Sequence, residues 1–253
     1  MVPDDYVRSI LSRYDLPTGE GSPAELAAAE LMKPITEWAG RYLQSINFCG
    51  SYAKGTRVRG ATDIDILVSL GPRTPLDADK LYERCFDFLK RKELKPTRLN
   101  VAIGLQQRGL SIHVIPARQE WGGSNDHRIF ETEHQRVTRT NFDTHLRVVK
   151  ESGLIEEIRL LKIWRNLRSL RLPSFCLELA VLDALHNSRP NQPAANMGTV
   201  LRYLKDTLPN APLRDPANFE NRVSDDLIKH EKLAISEAAA ESLKQQNWGK
   251  VVW

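Results

Sequence analysis

Apolar and polar residues change their period along this chain, and each change marks an element. Residues 23–46, PAELAAAELMKPITEWAGRYLQSI, are rich in helix formers with apolar positions at helical spacing, which predicts a helix kinked or split at Pro34. Asn47 to Cys49 lead into a Gly50-Ser51 turn, a short helical piece follows, and residues 63–70, DIDILVSL, read as a strand. A Gly/Pro turn at 71–75 precedes residues 76–94, a predicted helix with Leu81, Cys85, Phe88 and Leu89 on one side. The β-like runs 98–106 and 110–117 flank Gln107-Arg108-Gly109 and predict an antiparallel hairpin.

Residues 120–145 read as polar and irregular, and from Gly153 the pattern is helical, broken at Pro173, at 188–193 and at 209–216. No internal repeat or low-complexity tract occurs. The order predicts an α/β (α+β) fold: residues 1–150 as an α/β lobe with a mixed sheet and an N-terminal helix, and 151–253 as a helical lobe completing a cleft. The boundary is expected within 118–152.

Composition narrows this picture slightly. With 253 residues the chain can bury a substantial core. It has no apolar run of about 18 residues and no basic start followed by a hydrophobic stretch, so no membrane span or secretory signal is expected and a cytoplasmic setting is. Cys49, Cys85 and Cys176 lie far apart without paired spacing, which argues against a disulfide framework or a zinc site. A net charge of +4 suits a polyanionic ligand such as a nucleoside triphosphate or RNA.

The chemistry concentrates in GSYAKGTRVRGATDIDILV. Side chains alternate along a strand, so Asp63 and Asp65 project from one side, two residues apart. Crowded carboxylates favour a neutralising cation, and hard oxygen donors on a rigid strand suit Mg²⁺ bridging to phosphates. Upstream, Gly50-Ser51 permits close backbone approach, and the Ser51 hydroxyl with turn N–H groups can hold phosphate oxygens; Lys54 and Gly55 extend that cradle. Taken singly, an Asp-x-Asp is more often a solvated strand edge and a Gly-Ser a plain loop.

In combination and order, this segment resembles the Gly-Ser and Asp-x-Asp signature of polymerase-β-like nucleotidyltransferases, in the branch of archaeal-type CCA-adding enzymes, oligoadenylate synthetases and bacterial cyclic-oligonucleotide synthases. The resemblance implies that Gly50 and Ser51 bind a triphosphate tail and that Asp63 and Asp65 hold metal, Mg²⁺ or alternatively Mn²⁺. IRLLKIWRNLRSL, LPSFCLELAVLDAL and LRDPANFENRVS resemble later segments of the same branch, so that the similarity spans about residues 45–240. It implies that Lys162, free to face the cleft, and Ser174 touch triphosphate. Read without the resemblance, Lys162 is a surface lysine, Ser174 a helix cap after Pro173, and Asp215-Pro216 a turn.

One position departs from the pattern. Where the family carries a third catalytic Asp on a neighbouring strand, SIHVIPAR places His113, with Val114, Ile115 and Pro116 fixing the register. Imidazole can accept a proton from an acceptor hydroxyl near neutral pH but is a poor Mg²⁺ ligand. Three accounts stay open: an enzyme adapted to histidine, a nucleotide- or RNA-binding pseudoenzyme, or a histidine introduced where a carboxylate once stood. The expected activity is transfer of a nucleoside monophosphate from an NTP to a hydroxyl with release of pyrophosphate. Asp63, Asp65 and His113 are its catalytic candidates, and an oligonucleotide-synthase-like acceptor is preferred over an RNA or tRNA 3′ end.

Overall fold

The computed structural model describes residues 3–60, 63–123, 125–188 and 191–253. Met1, Val2, Ala61 and Thr62 of the signature segment, Ser124, and Arg189 and Pro190 of the break expected at 188–193 lie outside the described residues. The chain runs through α1 (Pro3–Arg13), α2 (Pro23–Ala39), β1 (Leu43–Phe48), α3 (Gly50–Lys54), β2 (Ile64–Leu70) and α4 (Ala78–Arg91). It continues with β3 (Thr97–Arg98), β4 (Ile103–Gln107), β5 (Leu110–Gln119), β6 (His127–Glu131), β7 (Arg136–Thr140) and α5 (Phe142–Glu151). The remainder comprises α6 (Ile155–Leu167), α7 (Ser174–Ala184), α8 (Pro193–Asp206), β8 (Arg214–Asp215), β9 (Asn218–Arg222) and α9 (Lys229–Leu243). The fold is mixed α/β with a mixed sheet and a helical C-terminal part.

Two compact units divide the chain: Met1–Leu16 with Gly55–Ala61 and Arg147–Trp253, and Pro17–Lys54 with Thr62–Leu146. This differs from a single boundary at 150, because α1 and the stretch after α3 belong with the later helices. Val7, Ile10, Leu11 and Val58 join one core with Ile158, Leu161, Trp164, Cys176 and Met197. Trp164 is fully buried, and its indole N–H donates to the Ser242 hydroxyl at 2.9 Å, so its one polar atom is satisfied.

In the other unit the sheet follows the order β1-β2-β5-β4-β3, with β6 on β5 and β7 on β6. Among the described residues of this sheet only β2 and β5 pair in parallel; the other pairs are antiparallel. Alternation sends Ile64, Ile66, Val68, Ile112 and Val114 into a core with Leu31 and Ile35 of α2 and Leu81, Cys85 and Leu89 of α4. The opposite face of the same two strands carries Leu67, Ile115 and Ala117. Asp65 and His113 fall on that second face by the same alternation. Pro116, which cannot donate to a ladder, lies between the end of β4 pairing at Val114 and the start of β6 pairing at Arg118.

Several expected elements change. The helix of 23–46 is not split at Pro34: α2 runs through it and stops at Gly40, whose φ of 54° breaks the helical path. Leu43 to Ile46 then form strand, because pairing with β2 captures them. Phe88 is only partly buried, lying beneath the cations of Arg91 and Lys92 rather than in the core. The predicted hairpin is present and tight, with Arg108 and Gly109 both at positive φ between paired Gln107 and Leu110.

Residues 120–145, read as irregular, hold the β6–β7 hairpin and the start of α5. Their few apolar residues masked the alternation, and a polar residue anchors them. His127 is buried, with Ser69 Oγ 2.8 Å from Nε2 and the Asn125 carbonyl 2.9 Å from Nδ1. A carbonyl only accepts, so Nδ1 carries the hydrogen and the Ser69 hydroxyl donates to Nε2. Burial pulls this imidazole below its ordinary pKa, outweighing the Asn125 bond and the charges of Asp143 and Asp126. The unfolded chain therefore takes up this proton first. The stability contributed by neutral His127 is complete above the ordinary value of 6.5 and is lost as pH falls through the lower folded value. Urea unfolding from pH 7.5 to pH 5 should show a steeper loss of stability for the native chain than for His127→Gln; equal slopes would show that His127 is not buried in its neutral form.

Candidate functional site

The signature residues in the sheet-containing unit converge. Register pairs Asp65 of β2 directly with His113 of β5. His113 Nδ1 lies 3.2 Å from Asp65 Oδ1, and Nε2 lies 3.6 Å from Asp63 Oδ1 and 3.4 Å from Ser111 Oγ. The imidazole thus reaches both carboxylates. Asp63, just before β2, is the most open, with 54 % of its side chain exposed, against 25 % for Asp65 and 21 % for His113. Burial pulls the His113 pKa down, but the bond to Asp65 and the charges of Asp63 and Asp65 raise it further, so the ring is held above its ordinary value.

Gly50 opens α3 against this pair. Its φ of 55° favours glycine, and a Cβ added there would fall within the Asp65 carboxylate beside Oδ2. The adjoining Cys49 N–H donates to the Asp65 carbonyl at 2.9 Å, tying the turn to the strand. Burial and the Asp65 charge push the Cys49 thiol far above its ordinary range, despite an opposing pull from Lys54, so it is an inert core thiol. Ser51 follows Gly50 in α3, Tyr52 stacks on Phe48 at 4.3 Å, and Lys54 ends the helix buried. Gly50, Ser51, Lys54, Asp63, Asp65 and His113 therefore all lie in one unit.

Lys162 and Ser174 belong to the helical unit, and Lys162 is not the free side chain expected of it. It is 2 % exposed, and its ammonium donates to Thr56 Oγ1 and Glu178 Oε1, each at 2.8 Å. The Thr56 hydroxyl in turn donates to the same Glu178 oxygen at 3.1 Å. Ser174 is exposed at the start of α7, and its hydroxyl accepts from Arg165 at 3.2 Å. Asp215 forms the turn allowed for it, accepting from the Ala217 N–H at 2.8 Å.

Thr56 and the pairing of Glu178 with Lys162 escaped sequence reading, although a signal was present. A lone acid in SFCLELAVL and a lone lysine in IRLLKIW each sit among apolar neighbours, and buried charges survive chiefly as pairs. Among the described residues no group of three or more His, Cys, Asp or Glu side chains is arranged to hold a metal ion. The donor set at β2 nevertheless fits one hard cation: two carboxylates, one well exposed, suit a Mg²⁺ ion that takes its remaining ligands from phosphates and water.

No protein-family model matches the chain. A stretch of 159 residues is 27 % identical to a cyclic AMP-AMP-AMP synthase of Escherichia coli (strain MS 115-1), covering 54 % of this chain and 49 % of that protein. The chain therefore spans about half the length of that relative. The CdnE cyclic dinucleotide synthase of Elizabethkingia meningoseptica, solved with GTP and Apcpp, superposes with a TM-score of 0.75 at 14 % identity, covering 96 % of this chain and 99 % of that one. The CD-NTase CdnG of Bradyrhizobium diazoefficiens, solved with GTP, gives 0.74 at 16 % identity over 95 % and 90 %. The chain is homologous to a cyclic AMP-AMP-AMP synthase and has the fold of the CD-NTases, in agreement with its resemblance to polymerase-β-like nucleotidyltransferases.

Two substitutions probe this geometry. Lys162→Met should cost about 3–5 kcal/mol in urea unfolding by taking the Lys162 ammonium from the buried Glu178 carboxylate, and the double change Lys162→Met with Glu178→Leu should recover most of it; a single variant as stable as the parent would contradict the buried pairing. Gly50→Ala should displace the Asp65 carboxylate and alter the His113 ring resonances in NMR, and unchanged resonances would show that the turn does not abut Asp65.

Proposed function

We propose that the chain is a metal-dependent nucleotidyltransferase that moves a nucleoside monophosphate from an NTP to a nucleotide hydroxyl and releases pyrophosphate, in the manner of an oligonucleotide synthase. The observation that carries this reading is the pair of carboxylates at the start of β2, Asp63 and Asp65, with Asp65 set against the Gly50 turn. Homology to a cyclic AMP-AMP-AMP synthase supports it. The relatives compared with this chain are named for cyclic nucleotides or bound nucleotides, none for RNA or tRNA, which favours a nucleotide acceptor over an RNA 3′ end.

Asp63 and Asp65 would hold Mg²⁺ or Mn²⁺. The cation supplies charge neutralisation at the phosphates and Lewis acidity at the reacting phosphoryl group. Gly50, carrying no side chain, lets the turn lie directly against the Asp65 carboxylate, and the hydroxyl of Ser51, the next residue of α3, would donate to phosphate oxygens. Lys54 adds positive charge at the end of the same turn. His113 touches both aspartates and is the candidate base for the acceptor proton, which it can take only after a ring nitrogen has given up its own hydrogen and turned from its carboxylate. By the resemblance Lys162 and Ser174 of the helical unit would also contact triphosphate, although Lys162 here donates to Thr56 and Glu178.

The contact of His113 with both carboxylates also favours a second reading, in which nucleotide binds and transfer does not follow. Incubation with labelled NTPs, Mg²⁺ or Mn²⁺, with and without tRNA, separates the two. The first reading expects product from nucleotides alone and a loss of about 100-fold or more on Asp63→Ala or Asp65→Ala. Nucleotide binding without any product would establish the second. Full activity in Asp63→Ala would remove the site assignment altogether.

A further inference from the structure

Resting on the metal–nucleotide reading above, we infer that this chain holds a single divalent cation with its nucleotide, and that the imidazole of His113 fills the ground a second cation needs. Two-metal phosphoryl-transfer sites keep their ions about 3.5–4 Å apart, which demands anionic ligands shared between them. Like-charged ions at that spacing repel strongly unless those ligands neutralise them. Here β2 and β5 supply two carboxylates and a ring that adds no negative charge.

The geometry of Asp65 sharpens the restriction. Its Oδ1 faces His113 Nδ1 at 3.2 Å, and its Oδ2 lies against Gly50, where not even a methyl group fits. Oδ1 is thus taken up by the ring and Oδ2 is hemmed in by the Gly50 backbone, which leaves Asp65 poorly placed to bridge a pair of ions. Asp63 differs: half of its side chain is exposed, and its contact with His113 is the looser one at 3.6 Å. A single ion bound chiefly through Asp63, with Asp65 beside it and phosphate oxygens completing its shell, satisfies the donors present. The ring does not add a third ligand to such an ion, since its two nitrogens are directed at the two carboxylates. Among the described residues no other acidic, histidine or cysteine cluster offers a third donor.

The count of bound ions tests this directly and needs no turnover. Native protein and His113→Asp are saturated with a non-hydrolysable nucleoside triphosphate analogue and titrated with Mn²⁺, and bound ion is measured by equilibrium dialysis and electron paramagnetic resonance. One Mn²⁺ per native chain is expected, and two per His113→Asp chain, with spin coupling between them. Two ions in the native chain would overturn the inference while leaving the proposed function standing. One ion in both proteins would overturn the role given to His113. No ion in the native chain would remove the metal site and both conclusions together. Should His113→Asp fail to fold, the native count still decides.

Discussion

The site depends on one register: the parallel pairing of β2 with β5 that sets Asp65 opposite His113. Parallel pairing buries both strands, so their outward choices are few, and alternation leaves one face to the aliphatic core and the other to Asp65, His113, Leu67 and Ile115. A slip of one residue would send both polar side chains into the Ile64 and Ile112 core. The aliphatic packing of α2 and α4 against β2 and β5 therefore holds the carboxylate and the imidazole together, and the chemistry of the site is a consequence of that packing.

Histidine at this position changes the electrostatics of the whole patch. Two carboxylates this close in sequence and space would repel each other. The ring relieves that repulsion by touching both, and its own raised pKa reflects the same exchange. A cation bound with nucleotide would relieve the same repulsion, so ring and cation act on the same two carboxylates. In the helical unit a comparable balance is struck within the protein, where Lys162, Thr56 and Glu178 hydrogen-bond one another in a buried interior.

What was legible in the sequence follows from how locally each feature is encoded. The β2 strand, the Gly50 turn and the β4–β5 hairpin were readable because alternation, glycine and a two-residue turn are local signals. The His113 position was readable because its neighbours Val114, Ile115 and Pro116 set its register. The start of β1 was not, since Leu43 to Ile46 carry helix-compatible residues and become strand only through pairing with β2. The β6–β7 hairpin was hidden by its polarity, its anchor being a buried histidine bonded to Ser69, 58 positions earlier. The units are discontinuous for a similar reason: α1 and Val58 join the helical core through contacts distant in sequence. Lys162 was read from its helix face alone, and its partner Thr56 lies 106 positions away.

The central claim is that the face of β2 and β5 bearing Asp63, Asp65 and His113 receives a metal-bound nucleoside triphosphate. A crystal structure of the chain grown with Mn²⁺ and a non-hydrolysable triphosphate analogue, with anomalous data collected for manganese, tests it most directly. The account predicts an anomalous peak liganded by Asp63, with Asp65 beside it and triphosphate oxygens over the Gly50-Ser51 turn. Nucleotide bound elsewhere, or manganese with no contact to either aspartate, would contradict it.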